Sequence, residues 1–222
     1  MSDDRLIVLG LSEPTLTMIL DNLESRGRFP RIDVVNNMAR TDLQPFANPR
    51  FAITVVEGWP EAVGPAAAFL GVNQPGSKRA VLGLFASREL PFTTIVHASA
   101  AISSTARLAA GVHVNSLVSV AAHAVLGRFV SLNRHVSIGH HARLGEFVTV
   151  NPGANVAGYT TIGAGTLIGM GANVVDGVTI GPDTVVCAGA VVTRDLPGGV
   201  VARGNPCRVV RARSAPQAAT AS

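Results

Sequence analysis

Large aliphatic residues recur at every sixth position of the chain from residue 102 to residue 192. All sixteen positions of this series are Leu, Ile or Val, and a small or β-branched residue stands two positions before most of them. A six-residue period is typical of a parallel β-helix, in which each repeat forms one short strand and one turn. Hexads of this kind are typical of left-handed coils that close after three repeats. The pattern therefore predicts a mainly β fold, a left-handed parallel β-helix of a little over five coils.

The chain before this repeat alternates short apolar runs with amphipathic segments. It predicts strands at 6–9, 32–35, 53–56 and 66–72, a helix capped by Ser12, and a second helix at 77–88. Such alternation predicts a small parallel α/β domain of Rossmann-like type. Seven of the 23 glycines precede residue 99 and 16 follow it. We therefore expect an α/β domain at 1–96, a β-helix domain at 97–213 and a disordered tail at 214–222.

Composition narrows the class of protein. Of 222 residues, 47% are hydrophobic and 14% are charged, which excludes an intrinsically disordered chain. Neither an apolar run of membrane-spanning length nor a secretory signal is visible, so we expect a cytoplasmic protein without a membrane partner. The net charge is +4, and 17 of the 18 basic residues are Arg. They form no basic run with interleaved aromatics, which favours phosphorylated small molecules over nucleic acid as ligands.

The 18-residue coil predicts which residues are neighbours along the β-helix axis. Residues 18 apart stack at about the interstrand spacing of ~4.8 Å. His140 therefore lies between Ala122 and Gly158. A histidine between two small residues is accessible to a ligand and suits the role of general base. Gly158 would expose its backbone N–H beside it.

Two further sets of polar residues have a structural and a binding interpretation. Asn115, Asn133 and Asn151 fall in one column, which indicates an internal asparagine ladder, although Asn133 is also a candidate contact to the acceptor. Gly10 and Ser12 follow the first predicted strand and form only a fragment of a phosphate loop. The start of a helix at Ser12 is nevertheless suited to holding an anion.

Several segments carry a resemblance to a known family. The segment 138–147, IGHHARLGEF, is followed by NPGANVAG at 151–158, and ARGNPCR stands at 202–208. Together with IVHASA at 95–100, they resemble the sialic acid O-acetyltransferase-like family of bacterial sugar acyltransferases. That family includes N-acetyltransferases of nucleotide-linked 4-amino sugars. The resemblance covers most of the chain and is strongest from 95 to 211.

The resemblance implies a homotrimer that transfers an acetyl group from acetyl-CoA directly to an amino group of a nucleotide-linked sugar, without a metal. It implies His140 and its neighbour His141 as catalytic residues and Gly158 as the donor to the thioester carbonyl. The implied contacts to CoA are Thr149, Gly158, Met170, Arg203 and Arg208. The implied contacts to the nucleotide sugar are Gly10, Ser12, Asn36 and Asn133.

The chain departs from the family pattern at three places. The family usually has Asp or Glu after the catalytic histidine, where this chain has His141, which we do not expect to orient the imidazole or stabilise its charged form. It often has His at the position of Thr149. Its glycine-rich first turn is replaced by LGLSE at 9–13, and an acidic pair is replaced by Asn36 and Asn37.

Three alternatives stay open at this point. O-acetylation of a sugar or sialic acid would use the same residues. A metal-dependent hydratase of the γ-carbonic anhydrase kind would use His135 and His140, with His113 from across a trimer interface as the third ligand. The third alternative is a β-helix that serves as a non-catalytic scaffold.

Overall fold

The computed structural model describes residues 5–10, 12–36, 50–57 and 66–213. The tail expected to be disordered, 214–222, lies outside the described residues. The first part of the chain contains these elements: β1 (Arg5–Leu9), α1 (Glu13–Glu24), β2 (Arg31–Asn36), β3 (Ala52–Glu57), β4 (Ala67–Leu70) and α2 (Pro75–Leu84). All six predicted elements are present, with ends that differ by a few residues from those read off the sequence.

The four strands form one parallel sheet in the order β3-β2-β1-β4. Helix α1 buries the face that carries Leu16, Ile19 and Leu23 against this sheet. Ser12 stands at the N-cap position, as predicted, but its hydroxyl caps no backbone N–H and instead accepts a hydrogen bond from Thr15 Oγ1 at 3.2 Å. The expected side-chain cap is therefore absent, and the hydroxyl is engaged within the helix's own first turn.

Seventeen strands of two residues follow within the described chain. They are β5 (Ile95–Val96), β6 (Ala101–Ile102), β7 (Arg107–Leu108), β8 (His113–Val114), β9 (Ser119–Val120), β10 (Val125–Leu126), β11 (Ser131–Leu132), β12 (Ser137–Ile138), β13 (Arg143–Leu144), β14 (Thr149–Val150), β15 (Asn155–Val156), β16 (Thr161–Ile162), β17 (Leu167–Ile168), β18 (Asn173–Val174), β19 (Thr179–Ile180), β20 (Val185–Val186) and β21 (Val191–Val192). A hairpin of β22 (Val200–Arg203) and β23 (Arg208–Ala212) ends the fold.

The short strands form the three faces of a left-handed parallel β-helix. Strands of successive coils pair in parallel with an offset of 18 residues, for example Ser131 with Thr149, as the hexad arithmetic predicts. One sheet has eight strands and includes the terminal hairpin, one has six and one has five. The aliphatic series fills the interior: fourteen of its sixteen members are buried, and Ile102 and Leu108 are half-buried at the first coil.

Three corners join the faces. Corner 1 joins the eight- and six-stranded sheets and contains 133–136; corner 2 joins the six- and five-stranded sheets and contains 139–142; corner 3 contains 127–130. The asparagine ladder lies inside corner 1, where Asn133 Nδ2 donates to Val150 O at 3.2 Å and to Asn151 Oδ1 at 3.3 Å. Asn133 is 3% exposed, so its assignment as a contact to the acceptor is wrong.

A buried lysine joins the α/β part to corner 3 and to the eight-stranded face. Lys78 of α2 donates to Phe129 O at 2.9 Å and to Thr149 Oγ1 at 3.0 Å, while Thr149 itself donates to Asn73 O at 2.7 Å. Burial lowers the pKa of Lys78 from 10.5 to about 7. Thr149 is 0% exposed and fully hydrogen-bonded, so the expected contact between its side chain and CoA is wrong.

A second buried contact joins α1 to the same face. The side chain of Asn22 lies 2.7 Å from His113 Nε2, and Asn22 Nδ2 also donates to Val114 O at 3.2 Å. Burial first, and the charge of Lys78 second, lower the pKa of His113 to about 3. His113 is 2% exposed inside the chain, so its proposed role as a metal ligand across a subunit interface is wrong.

Candidate active site

His140 lies in the exposed turn of corner 2, directly after β12. The column along the axis at this point is Ala122, His140, Gly158 and Asp176, each 18 residues from the next. Strand pairing between β12, β15 and β18 fixes this register, so the small residues predicted to flank His140 are its neighbours. The imidazole therefore projects from the corner with one edge open to solvent.

His141 contacts the other edge of this ring. His140 Nδ1 lies 3.2 Å from His141 Nδ1. The pKa of His141 is lowered, first by loss of water from around the ring and then by the nearby basic groups of His123, His140 and Arg143. The two Nδ1 atoms are within hydrogen-bond distance, so one of them donates and the other accepts, and the tautomers of the two rings decide which. His141 therefore forms a side-chain contact with His140, a position for which the sequence led us to expect no orienting role.

An aromatic column stands beside His140 on the outside of corner 2. His123, His141 and Tyr159 hold the third position of successive turns, each with a left-handed backbone at φ of 60°, 59° and 53°. The rings of His141 and Tyr159 stack with centroids 4.8 Å apart and 15° between their planes. Tyr159 also meets His140 edge to face at 5.0 Å. The column therefore holds the two imidazoles in a fixed mutual orientation.

Gly158 provides the space that His140 occupies. A methyl carbon on Gly158 would lie 2.7 Å from His140 Cε1 and 2.9 Å from His140 Nε2. The ring therefore covers the Cα of Gly158. The Gly158 N–H donates to no backbone carbonyl of the described residues. An N–H without a backbone partner can donate to the carbonyl oxygen of a ligand.

Asp176 is a polar residue of this site that the sequence reasoning missed. Its Oδ1 lies 2.9 Å from the same point above Gly158, on the side away from His140. The signal was present in the sequence, because Asp176 is 36 residues from His140 and therefore two coils further along the same column. The prediction extended only to the immediate neighbours of His140, one coil away on each side.

The other predicted contacts lie away from corner 2. Arg203 and Arg208 face each other in the exposed terminal hairpin on the eight-stranded face. Met170 is 59% exposed on corner 1. Arg213, by contrast, turns toward corner 3, where its Nη1 donates to Gly165 O at 3.2 Å. The structure thus does not bring these residues together with His140 of the same chain.

Gly10, Ser12 and Asn36 share one edge of the α/β sheet. Gly10 and Asn36 follow the paired residues Leu9 and Val35 at the carboxyl ends of neighbouring parallel strands. Gly10 has φ 85° and donates its N–H to Val35 O at 3.1 Å. The carboxyl edge of a parallel sheet is the usual binding side of such folds. Asn37, the second residue of the predicted pair, lies outside the described residues.

The described part of the chain offers neither a metal centre nor a membrane span. No group of three or more His, Cys, Asp or Glu there is arranged to hold a metal ion. No helix of the described ranges combines the length and the hydropathy needed to cross a membrane.

Comparison with known proteins agrees with this architecture. Residues 159–194 match the family of the bacterial transferase hexapeptide (six repeats), whereas no curated protein matches the chain. One similar solved structure is a GDP-perosamine N-acetyltransferase from Caulobacter crescentus, with one histidine replaced by alanine, in complex with CoA and GDP-perosamine. It is 26% identical, with a TM-score of 0.79 over 93% of this chain and 96% of that chain.

Two further structures cover the same extent. The acetyltransferase domain of PglB from Neisseria gonorrhoeae, in complex with acetyl coenzyme A, is 23% identical, with a TM-score of 0.81 over 94% of this chain and 100% of that chain. WeeI from Acinetobacter baumannii is 18% identical, with a TM-score of 0.76 over 93% of this chain and 100% of that chain. These likenesses show that the chain shares its fold with these proteins over most of its length.

Proposed function

We propose that this chain is an acetyltransferase that moves the acetyl group of acetyl-CoA to an amino group of a nucleotide-linked sugar. The observation that carries the proposal is the arrangement at corner 2. His141 contacts the Nδ1 side of His140, His140 Nε2 lies beside Gly158, and the Gly158 N–H donates to no backbone carbonyl of the described residues. We assign the ring proton of His140 to Nδ1, which leaves Nε2 as the base. The complexes of the similar Caulobacter enzyme with CoA and GDP-perosamine support this choice of substrates.

The reaction follows from these groups. The acceptor nitrogen attacks the carbonyl carbon of the thioester, and His140 Nε2 takes a proton from that nitrogen. The carbonyl oxygen, which gains negative charge, accepts a hydrogen bond from the Gly158 N–H, a contact that commonly contributes about 3 kcal/mol to the lowering of the barrier. The C–S bond then breaks, the amide forms, and the proton on Nε2 passes to the departing thiolate of CoA.

The position of the α/β part supports a homotrimer. Helices α1 and α2 are anchored on the eight-stranded face and corner 3, through Asn22 and Lys78. Corner 2 is the corner opposite that face, because it joins the other two sheets. An acceptor held near Gly10 and Asn36 would therefore be bound by a part of the chain that is anchored on the side of the β-helix opposite to His140. We infer that His140 acts on an acceptor and a CoA that are bound partly by a neighbouring copy of the chain. We place this reaction in the cytoplasm.

The remaining site residues take their roles from this assembly. Met170 on corner 1 and the exposed pair Arg203 and Arg208 would reach the CoA of a neighbouring copy, since they are remote from His140 of their own chain. Arginine suits the phosphates of CoA because its planar head forms paired hydrogen bonds. Gly10, Ser12 and Asn36 would hold the nucleotide sugar.

The test is the release of CoA thiol from acetyl-CoA with UDP-, GDP- and dTDP-linked amino sugars and with free sialic acid. We expect turnover with one amino sugar and a loss of about 10²–10⁴-fold in His140→Ala. The matched control is His135→Ala, which removes another exposed histidine. His135 lies on corner 1 and has a left-handed backbone, with φ of 58°. An intact rate in His140→Ala would refute the assigned base, and turnover with sialic acid alone would indicate O-transfer.

A further inference from the structure

We infer that Asp176 makes this site selective for an amine over a hydroxyl acceptor, an inference that rests on the proposed acetyl transfer. The family pattern that the chain resembles places an acidic residue directly after the catalytic histidine, and His141 stands there instead. The structure supplies a carboxylate from a different place, two coils further along the column of His140.

The geometry creates a slot between two hydrogen-bond acceptors. Asp176 Oδ1 and His140 Nε2 both lie 2.9 Å from the point where Gly158 would carry a side chain. The two atoms are therefore no more than twice that distance apart. One ligand nitrogen placed between them, outward from Gly158, is within hydrogen-bond distance of both.

The chemistry of the two acceptors selects the ligand. A carboxylate only accepts hydrogen bonds, and His140 Nε2 also accepts in its proposed role as the general base. An amine or ammonium group has at least two hydrogens and satisfies both acceptors. A hydroxyl has one hydrogen, so it leaves either the base or the carboxylate unpaired. A site built to bond every hydrogen of one group discriminates against a group that lacks one.

The negative charge of Asp176 also favours an amine over a hydroxyl acceptor. The acceptor nitrogen is cationic as an ammonium and becomes cationic again when it attacks the thioester. The carboxylate of Asp176 favours both forms, whereas an attacking hydroxyl gains no comparable benefit before its proton leaves. Asp176 is exposed, so water weakens this attraction. We therefore expect discrimination of about 10- to 100-fold rather than the 10⁴-fold of fully buried sites.

The test compares one nucleotide-linked amino sugar with its analogue that carries a hydroxyl in place of the amine. Binding of both to the full-length protein is measured by calorimetry, and acetyl transfer to the amine is measured by thiol release. In Asp176→Asn we expect the Kd and the KM for the amino sugar to rise about tenfold or more. The Kd for the hydroxyl analogue, the KM for acetyl-CoA and the melting temperature should not change. Asp176→Glu should retain the preference for the amine.

The matched control is Asp21→Asn, which removes an exposed carboxylate of α1 that lies beside the half-buried His97, with 3.8 Å between Asp21 Oδ2 and His97 Nε2. It should change neither Kd. If Asp176→Asn weakens the binding of both ligands equally, or of neither, the inferred role of Asp176 is refuted. Turnover by the wild type would still support the proposed function. Absence of turnover by the wild type with every acceptor overturns the proposed function and this inference with it.

Discussion

Gly158→Ala should damage the site without damaging the fold. The added methyl carbon would lie 2.7 Å from His140 Cε1, far inside the ~3.5–4.0 Å of a normal contact between carbon atoms, and it would lie 2.9 Å from Asp176 Oδ1. Both neighbours are exposed side chains that can move, and Gly158 is not among the glycines with positive φ. The unfolding free energy should therefore change by less than about 1 kcal/mol.

The catalytic effect follows from the distance that the ring must retreat. To restore ordinary contact, His140 must shift by about 0.8 Å, and a misplacement of about 1 Å can reduce a rate by 10²-fold. We expect kcat to fall by about 10- to 100-fold, which corresponds to about 1.4–2.7 kcal/mol in the barrier. The assay is thiol release at saturating acetyl-CoA and acceptor, together with a thermal melt of the same sample.

Two other glycines calibrate the experiment. A methyl carbon on Gly139 would lie 2.4 Å from the backbone nitrogen of Gly158, which cannot move aside, so Gly139→Ala should cost about 1–3 kcal/mol of stability. A methyl carbon on Gly83 in α2 meets nothing within 4 Å, so Gly83→Ala should leave activity intact and add up to about 1 kcal/mol. A fully active Gly158→Ala, or one that unfolds like Gly139→Ala, would refute the reasoning.

Two further predictions concern the buried lysine and the second histidine. Because burial lowers the pKa of Lys78 from 10.5 to about 7, the unfolded chain binds more protons than the folded one between these values, so stability rises with pH there. Urea titrations at pH 7 and pH 10 should show a gain on the order of 4 kcal/mol that Lys78→Met lacks, and equal pH dependence would contradict the burial argument. His141→Phe keeps the stack on Tyr159 but removes the nitrogen that, in the proposed mechanism, accepts from His140 Nδ1, so kcat should fall about tenfold. An unchanged kcat would show that His141 does not set the tautomer.

The six-residue repeat by itself determined most of the β-helix. Each hexad is a local unit whose aliphatic residue has one way to be buried, so the period alone fixes the face of every strand and the offset of 18 residues between coils. The same arithmetic placed His140 beside Gly158 and assembled the asparagine ladder. It extends to Asp176, which lies on the same column.

Only the tertiary structure decided which outer faces remain open. Thr149 and His113 occupy outward positions of the repeat, and the hexad pattern gives such positions no preference between solvent and contact. The α/β part covers them with Lys78 and Asn22, residues 71 and 91 positions away in sequence. A periodic pattern specifies neighbours along the helix axis, whereas lateral packing between distant segments depends on the folded shape as a whole.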